Sequence, residues 1–146
     1  MKLRMNFLYS FLFLNLIISQ NVLDGYTIFT PQGGNPGADS ETKLVINNLN
    51  DDGTCQDDCE NTIHTWTHES GPASMPYLIQ GDEPGLENAI LVYPYRVPNP
   101  TMDSGGVGGG VQLVDWNSNV LWDFVLSNEQ FQHHHDVQPM PNGNIL

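Results

Sequence analysis

VQLVDWNSNVLWDF, residues 111–124, decides how the whole chain is read. An apolar run ends on Asp115, a polar turn follows, and a second run carries Trp122. Valine, tryptophan and phenylalanine suit a pleated, half-buried surface. Asn, Ser and Asp favour turns, because their short side chains bond back to the nearby backbone. The stretch therefore predicts one strand over 111–115 and another over 120–124. Working outward, similar runs occur at 26–29, 43–46, 62–66, 77–79 and 89–93, with shorter ones at 135–137 and 144–146. Fourteen glycines and ten prolines punctuate them, as turns between short strands require. No long apolar stripe of helical period interrupts the pattern. The expected fold class is all-β.

The chain also resembles itself. LVINN (44–48), IHTW (63–66), YLIQG (77–81) and NAIL (88–91) form one series. QLVDW (112–116), NVLW (119–122), DVQPMPNG (136–143) and NIL (144–146) form a second. Val45 corresponds to Leu113, Ile63 to Val120 and Leu91 to Leu146. Four short strands recurring every 40–50 residues or so are the mark of propeller blades. The expected architecture is a partial β-propeller of about two four-stranded blades. Its divisions are 1–20 as an export signal, 21–41 as an N-terminal extension, 42–100 as a first blade-like repeat with an acidic insertion at 48–61, and 101–146 as a second, truncated repeat. A single blade cannot cover its own faces, and such units need roughly three neighbours for stability. The expectation is an N-terminal piece of a longer protein, or a chain that completes itself by oligomerising.

Lys2 and Arg4 precede an almost unbroken apolar run, FLYSFLFLNLIIS (7–19). A basic start followed by a short apolar stretch is the pattern of a secretory signal peptide, and the run is short of the roughly 20 residues that span a bilayer. An uncleaved anchor or a buried strand is the alternative. The expected location is periplasmic or extracellular. Beyond this segment only Lys43 and Arg96 remain as strong bases, against all seventeen Asp and Glu residues. Phosphate backbones demand clustered Lys and Arg, so nucleic acid is excluded as a partner, as is an anionic membrane surface beyond the signal segment. The acidity suits solubility and does not bear on the fold.

Cys55 and Cys59 lie in DDGTCQDDCEN (51–61). In an exported protein this pair reads as a disulfide closing a small loop, whereas zinc would need two further ligands. Asn48, Asn50 and Asp52 have alternating oxygen spacing before Gly53, as in a calcium loop, yet Cys59 occupies the place of the usual bidentate Glu. The alternative is a solvated, disulfide-tied surface insertion. SGGVGGGV (104–111) lacks the Lys-Ser/Thr of a phosphate loop and the Rossmann spacing, and a strand follows it rather than a helix. It reads as a turn whose bare backbone lets a ligand approach N–H groups. His64 and His68 share a face if their strand reaches that far, and are otherwise surface or turn residues. His133 and His135 would share a face with His134 on the other. A strand-borne His pair can hold zinc or copper, but no third ligand is identifiable.

GGVGGGVQLVDWNSNVLWDF (105–124) followed by HHDVQPMPNGNIL (134–146) resembles the arylsulfotransferase family, exported bacterial aryl-sulfate sulfotransferases built on a six-bladed propeller. NTIHTWTHESGP (61–72) is similar to the preceding Trp strand of that family, so the resemblance spans roughly 42–146. Asn119 stands where a turn glycine is common, which the left-handed tolerance of Asn accommodates. The resemblance implies sulfuryl transfer from an aryl sulfate to a phenol through a histidine, with no cofactor. It places His134 and His135 in the active-site funnel, with Asp136 orienting a ring. It also puts the nucleophile on a later blade, and Arg96 lies in a separate loop. The competing expectation is a non-catalytic secreted propeller that binds or adheres, stabilised by calcium in the acidic insertion.

Overall fold

The computed structural model describes residues 26–31, 38–49, 55–102 and 105–146, with the side chains of 47–49 and 55–61 outside that description. The expected export signal at 1–20, the candidate calcium ligands Asn50 and Asp52 and the side chain of the third, Asn48, and the side chains of Cys55 and Cys59 therefore lie outside the described residues. The described chain is all-β, in two antiparallel sheets. β1 (Tyr26–Phe29), β2 (Ser40–Leu49) and β3 (Cys55–His68) form the first, in the order β1-β2-β3. β4 (Tyr77–Ile79), β5 (Ile90–Arg96), β6 (Gly109–Val114) and β7 (Val120–Val125) form the second, a four-stranded meander in chain order. A single 3-10 turn, Leu86–Asn88, interrupts the β4–β5 connection.

The sheets pack face to face. Leu44 and Trp66 of the first sheet meet Leu91, Tyr93, Tyr95 and Val114 of the second, and all six are buried. Alternation along β5 turns Leu91, Tyr93 and Tyr95 toward this core and Val92 to the opposite face. There Val92 and Val111 pack against Val137 and Ile145 from the C-terminal segment. That segment is itself a small hairpin. Gln138 and Leu146 exchange two backbone hydrogen bonds, of 2.9 and 3.0 Å, and the Gly143 N–H donates to the Met140 carbonyl at 2.9 Å. Pro141 and Asn142 make the turn, and Gly143, at φ 82°, takes the left-handed position that closes a three-residue hairpin loop. Three layers result: first sheet, second sheet, hairpin.

Indole and imidazole groups fasten the first two layers. The Trp66 Nε1–H donates to the Asp115 carbonyl at 2.9 Å. His64 stacks on Trp116 at 3.8 Å between ring centroids, and His68 stacks on Tyr93 at 3.6 Å. His64, Trp66 and His68 share the inner face of β3, which does extend through His68. These histidines are packing groups and not surface residues. The β6–β7 turn is built by Asp115, whose carboxylate accepts from the backbone N–H groups of Asn117 and Asn119 at 2.8 Å each. The left-handed residue there is Ser118, at φ 64°, and not Asn119.

The strands from 26 to 125 fall where the pattern puts them, whereas 135–137 and 144–146 form none, and the grouping differs. The four strands expected as one blade, 42–100, divide between the two sheets: β2 and β3 in the first, β4 and β5 in the second. Residues 26–29, expected within an extension, form β1 and pair with β2. A repeat fixes a period and leaves its phase open, because the same series can be cut after any strand. The cut falls after the Trp-bearing strand, where SGPASMP (70–76) carries the chain across to the next layer.

Candidate functional site at the His-rich rim of the second sheet

The antiparallel meander brings the start of β4, the end of β5, the start of β6 and the end of β7 to one rim. The loops there are 70–76, 105–108 and 126–136. His133 is anchored on both sides: its N–H donates to the Leu126 carbonyl at 2.7 Å, and its carbonyl accepts from the Gly108 N–H at 3.2 Å. Its ring is held too. The Gly109 N–H points at Nδ1 at 3.5 Å, and Nε2 lies 3.3 Å from the Asp136 carbonyl. Since a carbonyl only accepts, these contacts select the neutral tautomer with its proton on Nε2.

His134 and His135 come together. Residues 135–137 form no strand, because His135 adopts φ 66°, and this left-handed step abolishes the alternation that would have put neighbouring rings on opposite faces. The His135 N–H donates to the Gly106 carbonyl at 2.6 Å. The two rings lie 4.3 Å apart between centroids, with Nδ1 facing Nδ1 in a short hydrogen bond. Such a contact needs a proton on one nitrogen and a lone pair on the other. The donor ring is then left with an unprotonated Nε2, a nucleophile or base. His135 is the exposed member of the pair.

The glycines beneath explain their own presence. A Cβ on Gly106 would stand 3.0 Å from both His134 Cε1 and His135 Nε2, and one on Gly108 would stand 3.0 Å from His133 Nδ1. Gly106 and Gly108 thus offer bare backbone on which three imidazoles rest.

Asp136 does not orient a ring through its side chain. Its carboxylate accepts from the Tyr77 hydroxyl at 2.5 Å and the Ser74 hydroxyl at 2.8 Å. Partial burial alone would raise its pKa, but the bonds from Tyr77 and Ser74 outweigh it and hold the group below its ordinary value. The same bond, joined by desolvation and the carboxylate charge, raises the pKa of Tyr77. Asp136 therefore ties the His loop to the start of β4.

Arg96 belongs to this rim as well. In sequence it lies in a separate loop; in the fold it ends β5 and pairs with Gly109, whose N–H faces His133. The signal for this was the strand register, which a single sequence does not display. An apolar groove of about 760 Å³ leads away from the rim, lined by Val111, Leu113, Trp122, Phe124, His133 and Val137 among others. Trp122 and Phe124 lie parallel at 5.8 Å on its wall. Among the described residues no group of three or more His, Cys, Asp or Glu side chains is arranged to hold a metal, and no helix is long and apolar enough to cross a membrane. In comparisons with known proteins, no family model, curated protein or solved structure matches this chain.

Proposed function

We propose that this chain takes part in sulfuryl transfer from an aryl sulfate ester to a phenol, as an exported protein, with its two sheets and C-terminal hairpin as successive layers of a β-propeller. The observation that carries the reading is the joining of a histidine pair to an aromatic-walled groove at one rim, through His133. In this scheme the aryl group lies in the groove. The Nε2 of His135 attacks sulfur, an N–S bond forms, and the S–O bond to the phenol breaks. The released phenolate takes a proton from water. A second phenol then attacks the sulfur, loses its proton, and the N–S bond breaks to return neutral His135. The covalent intermediate divides one displacement into two easier ones. His134 accepts the Nδ1–H of the attacking ring, which leaves the lone pair of that ring at Nε2. The propeller reading draws on the four-stranded meander, the face-to-face layers and the repetition of the β4–β5 hairpin by 136–146.

The test is release of p-nitrophenol from p-nitrophenyl sulfate by the full chain, with and without added phenol. Acceptor-dependent release that falls about 10²-fold or more in His135→Ala, with folding intact by circular dichroism, is expected. A well-folded chain that releases none with any phenolic acceptor refutes the transfer.

A further inference from the structure

The tip of the C-terminal hairpin carries the chain's one Asn-Gly pair, Asn142-Gly143. An asparagine side chain can be attacked by the backbone nitrogen of the residue that follows it. A side chain on that next residue crowds the approach, and glycine has none. Here the approach is open. Both residues are exposed, and nothing lies within 4 Å of the place a Cβ on Gly143 would take. The Asn142 Oδ1 accepts the Asn144 N–H at 3.1 Å, which draws charge from the amide carbon as a donor to a developing oxyanion does. Among the described residues no group holds the Asn142 Nδ2. Other asparagines differ on both counts. The Nδ2 of Asn119 donates to the Asp115 carboxylate at 2.9 Å, that of Asn88 donates to the Pro84 carbonyl at 3.1 Å, and a residue with a side chain follows each. One bond restrains the nucleophile: the Gly143 N–H donates to the Met140 carbonyl at 2.9 Å. That bond sits at an exposed hairpin tip, where local opening is easy.

We propose that Asn142 is a site of spontaneous deamidation, with water as the co-reactant, and that isoaspartate formed there releases the C-terminal hairpin from the second sheet. When the bond to Met140 opens, the Gly143 nitrogen gives its proton to a solvent base and attacks Asn142 Cγ. An N–C bond forms, the Cγ–Nδ2 bond breaks, and Nδ2 leaves as ammonia with a proton from solvent. The cyclic imide leaves Gly143 without the N–H that closed the turn on Met140. Water then opens the ring. Hydrolysis at Cγ gives aspartate on the original backbone. Hydrolysis at the Asn142 backbone carbonyl gives isoaspartate, and the main chain then runs through Cβ and Cγ. That path adds a methylene to a tight loop. Loop length fixes hairpin register, and this register lets Gln138 and Leu146 exchange bonds while Val137 and Ile145 cover Val92 and Val111. A lengthened loop cannot keep both. Met140 and Leu146 also line the apolar groove, so the groove loses that wall when the hairpin leaves. None of this depends on sulfuryl transfer.

The experiment ages the full chain in mildly alkaline buffer, which favours loss of the amide proton, and maps its peptides by mass at intervals. The peptide holding Asn142 is expected to gain about one dalton, at least about tenfold faster than those holding Asn88, Asn117, Asn119 or Asn128. Asn142→Gln, whose longer side chain closes the ring poorly, should show no gain there over the same interval. The aged protein is then separated by ion exchange, and its isoaspartate fraction is compared with fresh protein by amide hydrogen exchange. The Gln138 and Leu146 amides should exchange at least about tenfold faster in that fraction, while those of β5 and β6 keep their protection. No gain at Asn142, or an equal rate at another of these asparagines, overturns the modification site. An isoaspartate fraction with Gln138 and Leu146 still protected overturns the release of the hairpin. The transfer assay uses fresh protein and reads a different group, so either reading can fail without the other.

Discussion

His68 shows how a single buried ring makes the fold sensitive to acid. Its Nε2 lies 2.8 Å from the Thr42 hydroxyl and its ring is stacked on Tyr93. Burial lowers its pKa from 6.5 to about 4. The folded state therefore prefers the neutral ring, while the unfolded chain takes up a proton below about pH 6.5. The stability from this group is fully present above pH 6.5 and is lost as pH falls through 4. At roughly 1.4 kcal/mol per unit the whole shift corresponds to about 3 kcal/mol. Urea unfolding at pH 7.5 and at pH 4.5 should show a wild-type loss that His68→Phe lacks; parallel losses in both proteins would refute the assignment. Tyr93 belongs to the same group of side chains. Burial, only partly offset by its bond to Ser40, raises its pKa to about 12. None of this was legible at 61–69, where IHTWTHE looks like a polar strand end. The burial comes from β5, a strand more than twenty residues downstream, and a single sequence does not say which face meets it.

At the scale of elements, β3 and β7 are a natural experiment. Both are Trp-bearing strands that follow an apolar strand and a turn, so their sequences announce equivalent places. The structure gives them unequal partners. Trp66 is fully buried against the second sheet, while Trp122 remains 42% exposed. Trp66→Ala should cost about 3–5 kcal/mol, the usual toll of emptying a large core site, with an added loss from the Asp115 carbonyl left without its donor. Trp122→Ala should cost distinctly less than Trp66→Ala, because 42% of its surface stays in water in the folded state. Guanidinium unfolding midpoints of the two variants measure the difference, and equal costs would contradict the observed layering. Strand positions were readable because side-chain type and turn chemistry are local. The phase of the repeat, the left-handed step at Ser118 and the meeting of His134 with His135 were not. Each depends on a φ sign or a strand register, which side-chain alternation alone does not determine. Arg96 was missed for the same cause: its nearness to His133 passes through Gly109, one strand away.

The whole molecule ends on an open edge. β7 is the last strand of its sheet, and all six of its residues are exposed. Val120, Leu121, Trp122, Phe124 and Val125 are apolar, each between 42% and 56% accessible. Edge strands are normally guarded by Lys, Pro or a free charge. The one charge here, Asp123, is turned back into its own sheet by the Tyr95 hydroxyl at 2.8 Å and the Gln112 amide at 3.2 Å. The edge strand of the first sheet, β3, exposes Ile63 as its one large apolar side chain among those described, beside Thr62 and Thr67. β7 is therefore the strand through which copies of this chain should associate, by antiparallel pairing of like with like. A register that sets Trp122 opposite Trp122 leaves each Asp123 facing Leu121, and so avoids opposing two carboxylates. The formal charge of −13 per chain works against the encounter, and salt screens that repulsion. Sedimentation velocity should thus show self-association that grows with protein concentration and with salt from about 0.05 to 0.5 M. Leu121→Lys with Val125→Lys should return a monomer under every condition, while changing unfolding stability by no more than about 1 kcal/mol for the pair of surface changes. A wild-type chain that stays monomeric at high salt and high concentration would mean that the β7 edge does not bind another copy of this chain.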